Sequence, residues 1–230
     1  MYWKTSFLSN HINWHLALHH LEQGENDKVF QIYDDFIFSE AKRFKTKFSI
    51  IDATSILYRL KMLNNDKKLE QELNIRWKDL SELCNYNISN CDYAFSNVHL
   101  LMGFSAVNNK DNQNEFLSSI NEFCNKNDKY FKLIHDSVGL SLYKAFLHFD
   151  KFEFDKTVDL LYPIRYELNK IGGSKAQQDL FHQMLTQAAL RSKNSFHNKI
   201  GLKLLNEREA LKPHSKLTQR LSCSFITINE

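Results

Sequence analysis

The chain has 230 residues with only 2 Pro and 6 Gly, whereas average usage would supply about 11 Pro and about 16 Gly at this length. Sandwiches, barrels and doubly wound sheets need such residues at their many turns, so this composition excludes them. A hydrophobic fraction of 43% also excludes a disordered chain, and the sequence therefore predicts a single all-α domain over residues 1–230.

Asparagine-rich breaks divide the chain into segments whose apolar residues recur near every 3.6 positions, which predicts helices. In chain order, the predicted helices cover residues 9–23, 27–38, 48–63, 75–85, 91–107, 113–124, 129–149, 155–170, 174–191 and 196–211, with a short last helix after residue 214. Ser9 and Asp155 are predicted as N-caps. Gly172-Gly173-Ser174 is predicted to end one helix and cap the next rather than to hold an anion.

Short connections pair these helices into five hairpins, and two of the hairpins share an internal repeat. The tetratricopeptide pattern places a small residue early in the first helix, an aromatic residue three positions later, and further small and large residues in the second helix. The matching positions are Ala17, His20, Val29 and Tyr33 in one segment, Ala145, His148 and Thr157 in another, and Ala189, Gly201, Leu205 and Pro213 near the C-terminus. The predicted hairpins span 9–38, 48–85, 91–124, 129–170 and 174–211, and their spacing favours an α-solenoid.

Several strings also resemble one family in order and spacing. They are HINWHLAL at 11–18, DATSILYRL at 52–60, RW at 76–77, FSNVH at 95–99, LYPIR at 161–165, IGGSKAQQD at 171–179, ER at 207–208 and KPHS at 212–215. Together they resemble the C-terminal half of the tetratricopeptide repeat protein 38 family. The resemblance implies a right-handed α-solenoid of divergent tetratricopeptide repeats. Asn97, Lys175 and Gln178 depart from that family's pattern, which tends to have acidic, His and Arg residues there.

In such arrays one stripe of each first helix lines a concave groove where partners bind. We expect this groove to hold an extended peptide or a helix, with aromatic anchors and polar guides. The residues predicted to line it are His11, Trp14, Leu18, Asp52, Tyr58, Arg59, His99, Asp179 and Gln183. An equal alternative is that the polar members form a ladder of hydrogen bonds between repeats.

His11 and His15 lie one helical turn apart, the spacing of two metal-ligating imidazoles. No Glu lies between them as a general base, so no metal or cofactor is predicted. The structural interpretation is that His15 hydrogen-bonds a neighbouring helix such as that of Asp52. The competing functional interpretation is a hydrolase or metal-dependent enzyme with its centre at His11, His15, Asp52 and His99.

The net charge, the cysteines and the N-terminal sequence limit which partners and which cellular compartment are expected. The four cysteines lack C-x-x-C spacing, no apolar run reaches the roughly 18 residues of a membrane span, and no signal peptide is evident, so we expect a cytoplasmic protein. The net charge of +3 makes nucleic acid an unlikely partner, although two basic stretches, 42–47 and 191–220, leave RNA binding as a third hypothesis. Trp3, Phe7 and Leu8 are predicted either to cap the first hairpin or to form a homodimer interface.

Overall fold

A computed structural model describes residues 9–63, 66–89, 91–126 and 129–229, with side chains described as far as residue 222. Every regular element in these ranges is helical, so the all-α prediction is confirmed. None of the helices described combines the length and the apolar character that crossing a membrane requires. Trp3, Phe7 and Leu8 lie outside the described residues, as does the side chain of Cys223.

Contacts group the chain into two compact units, one of residues 1–21 and 25–132 and the other of residues 22–24 and 133–230. The first seven helices are α1 (Ser9–Gln23), α2 (Asn26–Ile32), α3 (Ser39–Phe44), α4 (Lys47–Leu63), α5 (Lys67–Asn85), α6 (Ala94–Ala106) and α7 (Lys110–Lys126). The remaining helices are α8 (Lys129–Ile134), α9 (Leu140–Asp150), α10 (Phe154–Leu161), α11 (Lys175–Arg191), α12 (Ser195–Leu211) and α13 (Lys216–Asn229). The single-domain organisation stays a prediction.

Two of the long predicted helices contain a π-helical segment. Tyr33–Phe38 joins α2 to α3, and His135–Gly139 joins α8 to α9. A π segment adds one residue to a helical turn without breaking the helix, so the helix continues through it while its apolar register shifts by one residue. The continuous helix formed by α2, the π segment and α3 therefore extends to Phe44, six residues beyond its predicted end. It stops at Lys45, which adopts a φ of +51°.

Three predicted boundaries are wrong for local reasons. The helix predicted for 155–170 ends at Leu161 because Pro163 has no N–H with which to continue the helical hydrogen bonds; a 3₁₀ turn follows at Leu168–Ile171. α5 begins eight residues earlier than predicted, because the Asp66 carboxylate accepts the Lys68 N–H at 3.1 Å and caps it. Asp155 is not an N-cap: it lies in the first turn of α10, and Glu153 occupies the cap position.

The turn that opens α11 is as predicted. The Ser174 side chain accepts the Gln177 N–H, and the Gln177 side chain accepts the Ser174 N–H at 2.8 Å, which is a capping box. Gly172 and Gly173 have φ values of +98° and +78°, a region that glycine enters without steric cost.

In the first unit, α4 and α6 form the centre. α4 packs against α3, α5, α6 and the preceding π segment, and α6 packs against α4, α5 and α7. Nearly every residue of both helices is buried as a result. Gly103 of α6 lies so close to Cys84 of α5 that an added Cβ would approach the Cys84 Sγ more closely than real Cβ atoms do. The absence of a side chain at Gly103 therefore leaves room for the Cys84 thiol at the contact of the two helices.

In the second unit, α9 packs against α10, α10 against α11, and α11 against α12 and α13. Gly201 of α12 faces Leu190 of α11, and a Cβ there would lie 2.8 Å from the Leu190 Cδ2 and 3.0 Å from its backbone N. Thr157 of α10 donates its hydroxyl to the Ala145 carbonyl of α9 at 3.3 Å. Both close approaches occur at positions of the predicted repeat.

The turn after α1 recurs after α9 in nearly the same geometry. After α1, the Glu25 N–H donates to the His20 carbonyl at 3.0 Å, and the Glu25 carboxylate contacts the His20 Nδ1 at 2.6 Å and the Lys28 Nζ at 3.0 Å. These two side chains lower the pKa of Glu25, the His20 hydrogen bond most. Gly24, with a φ of +80°, makes this turn possible.

After α9, the Glu153 N–H donates to the His148 carbonyl at 2.9 Å, and the Glu153 carboxylate contacts the His148 Nδ1 and, at 3.2 Å, the Lys156 Nζ. The pKa of Glu153 is lowered by the same two types of partner, the histidine first. The residue at the position of Gly24 is Phe152, which adopts a φ of +60°. The internal repeat found in the sequence therefore corresponds to a repeated turn.

Candidate functional site

Asp52 is the centre of a polar cluster in the first unit. It lies on α4 and is fully buried, and its Oδ2 is 3.1 Å from the His11 Nδ1 and 3.4 Å from the Asn10 Nδ2, both on α1. A buried carboxylate is costly unless it is partnered, so these contacts fix α1 against α4. The hydrogen bond between helices that was expected of His15 is therefore made by His11, one turn earlier.

His11 is the accessible end of this pair, with a side chain that is 21% exposed. The hydrogen bond to Asp52 raises the pKa of His11 more than partial burial lowers it. The His15 ring lies edge-on to it, with 4.8 Å between ring centroids, and burial and the neighbouring imidazole lower the pKa of His15. Within the described residues, no group of three or more His, Cys, Asp or Glu side chains could hold a metal ion.

Trp14 and Arg59 fill the space beside this pair. The Trp14 indole is fully buried and stacks on the His11 ring with centroids 5.1 Å apart, while the Arg59 guanidinium lies 5.6 Å from the indole centroid. Arg59 is 1% exposed and donates to the Ser55 carbonyl at 3.2 Å and to its hydroxyl. Trp14 was predicted as an anchor for a partner, but other side chains of the fold cover its ring in this structure.

Tyr58 was also predicted as an anchor, and it is 1% exposed because α4 has neighbours on every side. Leu18 is half-buried. Among the predicted groove residues of the first unit, only His11 and Leu18 therefore present appreciable surface.

His99 is buried on α6, and its Nδ1 lies 2.7 Å from the Phe95 carbonyl of the same helix. The pKa of His99 is lowered to about 4, mainly by burial and also by the nearby Arg59 charge, while the hydrogen bond to the Phe95 carbonyl opposes the shift. The imidazole is therefore neutral at physiological pH. The structure brings His11, His15 and Asp52 next to one another, and the charge of Arg59 reaches His99.

Asp179 and Gln183 belong to the second unit, where they form a separate cluster with Arg208. The Asp179 carboxylate receives two hydrogen bonds from the Arg208 guanidinium, at 2.6 and 3.1 Å, and one from the Gln183 Nε2 at 2.8 Å. Lys212 lies 3.7 Å away. The arrangement links α11 to α12, which corresponds to the hydrogen-bond ladder that was the alternative to a polar groove floor.

Sequence reasoning missed Arg208 as a structural residue. It lies in the basic stretch 191–220, on which the RNA-binding hypothesis was based, but only 8% of the residue is exposed. A paired carboxylate 29 positions away leaves no local pattern, so only the fold reveals it. In the other basic stretch, Lys47 is paired with Asp92 at 2.7 Å, which reduces the cationic surface there.

The sequence analysis also passed over a surface group at the α9–α10 turn. Phe152 is 69% exposed, and the Arg191 guanidinium lies 4.4 Å from the centroid of the Phe154 ring. A signal was present, because Phe152 stands where the repeat has Gly24.

Compared with known proteins, the chain matches no family model and no solved structure.

Proposed function

We propose that this chain is a tetratricopeptide-like helical-repeat protein that binds other proteins, with its hairpins stacked as a right-handed α-solenoid. The observation that supports this most is the repeated turn, in which His20 and Glu25 take the same relation as His148 and Glu153. A repeated hairpin with small residues at the helix contact is the unit from which such arrays are built. The resemblance to the tetratricopeptide repeat protein 38 family supports the same proposal.

The structural role of the polar clusters also favours a binding role. The polar residues of the first unit are mostly buried, and those of the second hold two helices together, so both clusters act as structural links. Cys84 and Cys91 are free and buried, and burial raises their pKa to about 12 and about 11 respectively. We propose a cytoplasmic location on the same grounds, since thiols of this kind suit a reducing compartment.

The test is reconstitution of a defined complex. The full chain is used as bait in a lysate of its own cells, each retained protein is purified, and binding is measured by titration calorimetry. We expect at least one saturable complex of fixed stoichiometry. Trp14→Ala and Asp52→Ala are unsuitable as variants for this experiment, because both residues are buried and a loss of binding could reflect a loss of folding. Leu211→Ser changes an exposed side chain and is a suitable control variant. If no purified candidate binds saturably, the proposal fails.

A hydrolase is the second candidate, and one observation favours it. A buried carboxylate that holds the Nδ1 of a partly exposed imidazole is the arrangement that orients a general base, and Asp52 and His11 have it. Within the described residues, no Ser or Cys hydroxyl or thiol is hydrogen-bonded to His11, so the base would act on water or on the substrate. A panel of ester, amide and phosphoester substrates tests this candidate: turnover by the purified chain that His11→Gln abolishes would establish it in place of the scaffold.

The predicted homodimer through the N-terminal end stays a proposal. Its basis is the apolar content of Trp3, Phe7 and Leu8 in the sequence. Light scattering on dilute protein should give twice the chain mass of 27.2 kDa. A mass of one chain would remove the homodimer without affecting the scaffold.

A further inference from the structure

The second unit carries a surface group of aromatic and basic side chains, which we call the aromatic–basic patch: Phe152, Phe154 and Arg191, together with the exposed Lys151 and Lys193 that lie close to them in the chain. The rings of Phe152 and Phe154 meet edge to face, with 6.1 Å between centroids. The Arg191 guanidinium lies 4.4 Å from the centroid of Phe154 and 5.8 Å from that of Phe152. Phe154 also meets the buried Phe149 at 5.6 Å, which anchors the patch to the core.

The backbone gives no reason for a phenylalanine at position 152. Its φ of +60° is a conformation that glycine adopts freely and bulky residues rarely do, and the equivalent turn after α1 uses Gly24. Burial gives no reason either, because the residue is 69% exposed. A strained and exposed aromatic residue of this kind is characteristic of functional surfaces.

The charges of the patch are unbalanced. Among the described residues, no carboxylate lies within ion-pairing distance of Arg191, Lys151 or Lys193. The carboxylates of the same turn are already engaged: Glu153 with His148 and Lys156, and Asp155 with the Ser192 hydroxyl and, at 3.2 Å, the Lys193 N–H. The three cations are therefore available to an anionic partner.

We propose that the aromatic–basic patch binds an acidic peptide segment that carries an aromatic or large apolar side chain. That side chain packs on Phe152 and Phe154, and the peptide carboxylates pair with Arg191, Lys151 and Lys193. Aromatic residues and Arg are the types that dominate binding energy at protein interfaces. The proposal rests on the proposed function as a protein-binding repeat protein and names one surface and one partner chemistry for it.

A peptide fits this surface better than a nucleic acid does. The patch offers three cations, whereas nucleic-acid sites use a concentrated basic face that follows a phosphate backbone. A short acidic peptide needs only a few well-placed cations together with an apolar contact.

The test uses the full chain and an array of short random peptides, followed by fluorescence anisotropy on the best binder. We expect the selected peptides to be enriched in Asp or Glu next to an aromatic residue. Phe152→Gly should weaken binding about tenfold, since a hot-spot ring is worth about that factor. Glycine suits the backbone at this position, so an unchanged melting temperature would confirm that folding is intact.

Two further variants complete the design. Arg191→Gln should weaken binding and reduce its dependence on salt concentration, because one ion pair is lost. Leu211→Ser removes an 82% exposed apolar side chain of the same unit and should leave the affinity unchanged.

Three results would overturn the proposal: no selected peptide, selected peptides without acidic residues, or equal losses for Phe152→Gly and Leu211→Ser. A single-stranded RNA that competes for the patch and binds more tightly than any peptide would overturn it in favour of nucleic acid. If the protein complex of the proposed function persists with Phe152→Gly, the patch proposal alone fails. If no complex forms at all, the scaffold itself fails.

Discussion

Replacing Gly103 by alanine inserts a methyl group into a space that Cys84 already fills. Both residues are buried at the contact of α5 and α6 in the first unit. The new Cβ would lie closer than 3.0 Å to the Cys84 Sγ and 3.4 Å from its Cβ. The Sγ is bonded to the Cys84 Cβ, so this steric clash can be relieved only if the helix shifts or the thiol adopts another rotamer.

The expected magnitude is a balance of two effects. Overpacking a core in this way costs about 1–3 kcal/mol. Alanine recovers about 1 kcal/mol over glycine in the interior of a helix such as α6. The free energy of unfolding should therefore fall by about 1 kcal/mol in Gly103→Ala.

A second substitution reverses the sign. In Cys84→Ala the sulfur is gone, and the nearest remaining contact, at 3.4 Å, is ordinary van der Waals distance. Gly103→Ala should then stabilise that background by about 1 kcal/mol, through helix propensity alone. The two substitutions should thus couple by about 2 kcal/mol in the direction of mutual rescue.

Urea unfolding of the four proteins in reducing buffer, followed by far-ultraviolet circular dichroism, measures this coupling. Unchanged m values would show that the unfolding transition is comparable in all four. If the two effects add to within about 0.5 kcal/mol, the close approach of α5 and α6 at this point is refuted.

Two other predictions concern buried ionisable side chains. Burial holds the pKa of His99 near 4, so between pH 4 and pH 6.5 the imidazole binds a proton more readily in the unfolded chain than in the folded chain. The free energy of unfolding of the wild type should therefore fall as the pH drops through that window, by up to about 1.4 kcal/mol per pH unit. His99→Gln should flatten that slope in urea unfolding measured at several pH values, and an unchanged slope would contradict the burial of the imidazole. Asp179→Asn leaves the buried Arg208 guanidinium without its carboxylate and should cost about 2 kcal/mol, while the partly exposed Glu207→Gln should cost less than about 0.5 kcal/mol; equal effects in thermal unfolding would contradict the ion pair.

Apolar spacing and small residues were sufficient to predict much of the fold. Ala17 and Ala145 are both fully buried, as a close helix contact requires, and α1 runs from Ser9 to Gln23 as predicted. Ser174 caps α11 because a serine followed three residues later by glutamine is a local signal. Such features need no knowledge of distant residues.

The candidate site was less accessible to sequence reasoning. Periodicity identifies the stripe that contains Trp14 and Tyr58, but it does not reveal that neighbouring helices cover both side chains. The pairing of His11 rather than His15 with Asp52 depends on how α1 is rotated, which a spacing of four residues leaves open. The partner of Arg208 lies 29 residues away and leaves no periodic trace.

The π segment at Tyr33–Phe38 makes chain length, more than residue type, critical at that point. Its extra residue turns everything downstream by about 100° around the helix axis, so Ile37 and Ala41 reach the interior of the first unit. Deleting one residue there would restore a uniform helix while rotating both side chains toward solvent. A single-codon deletion in this segment should therefore be far more damaging than most single substitutions in it, because it misdirects a whole helical face at once.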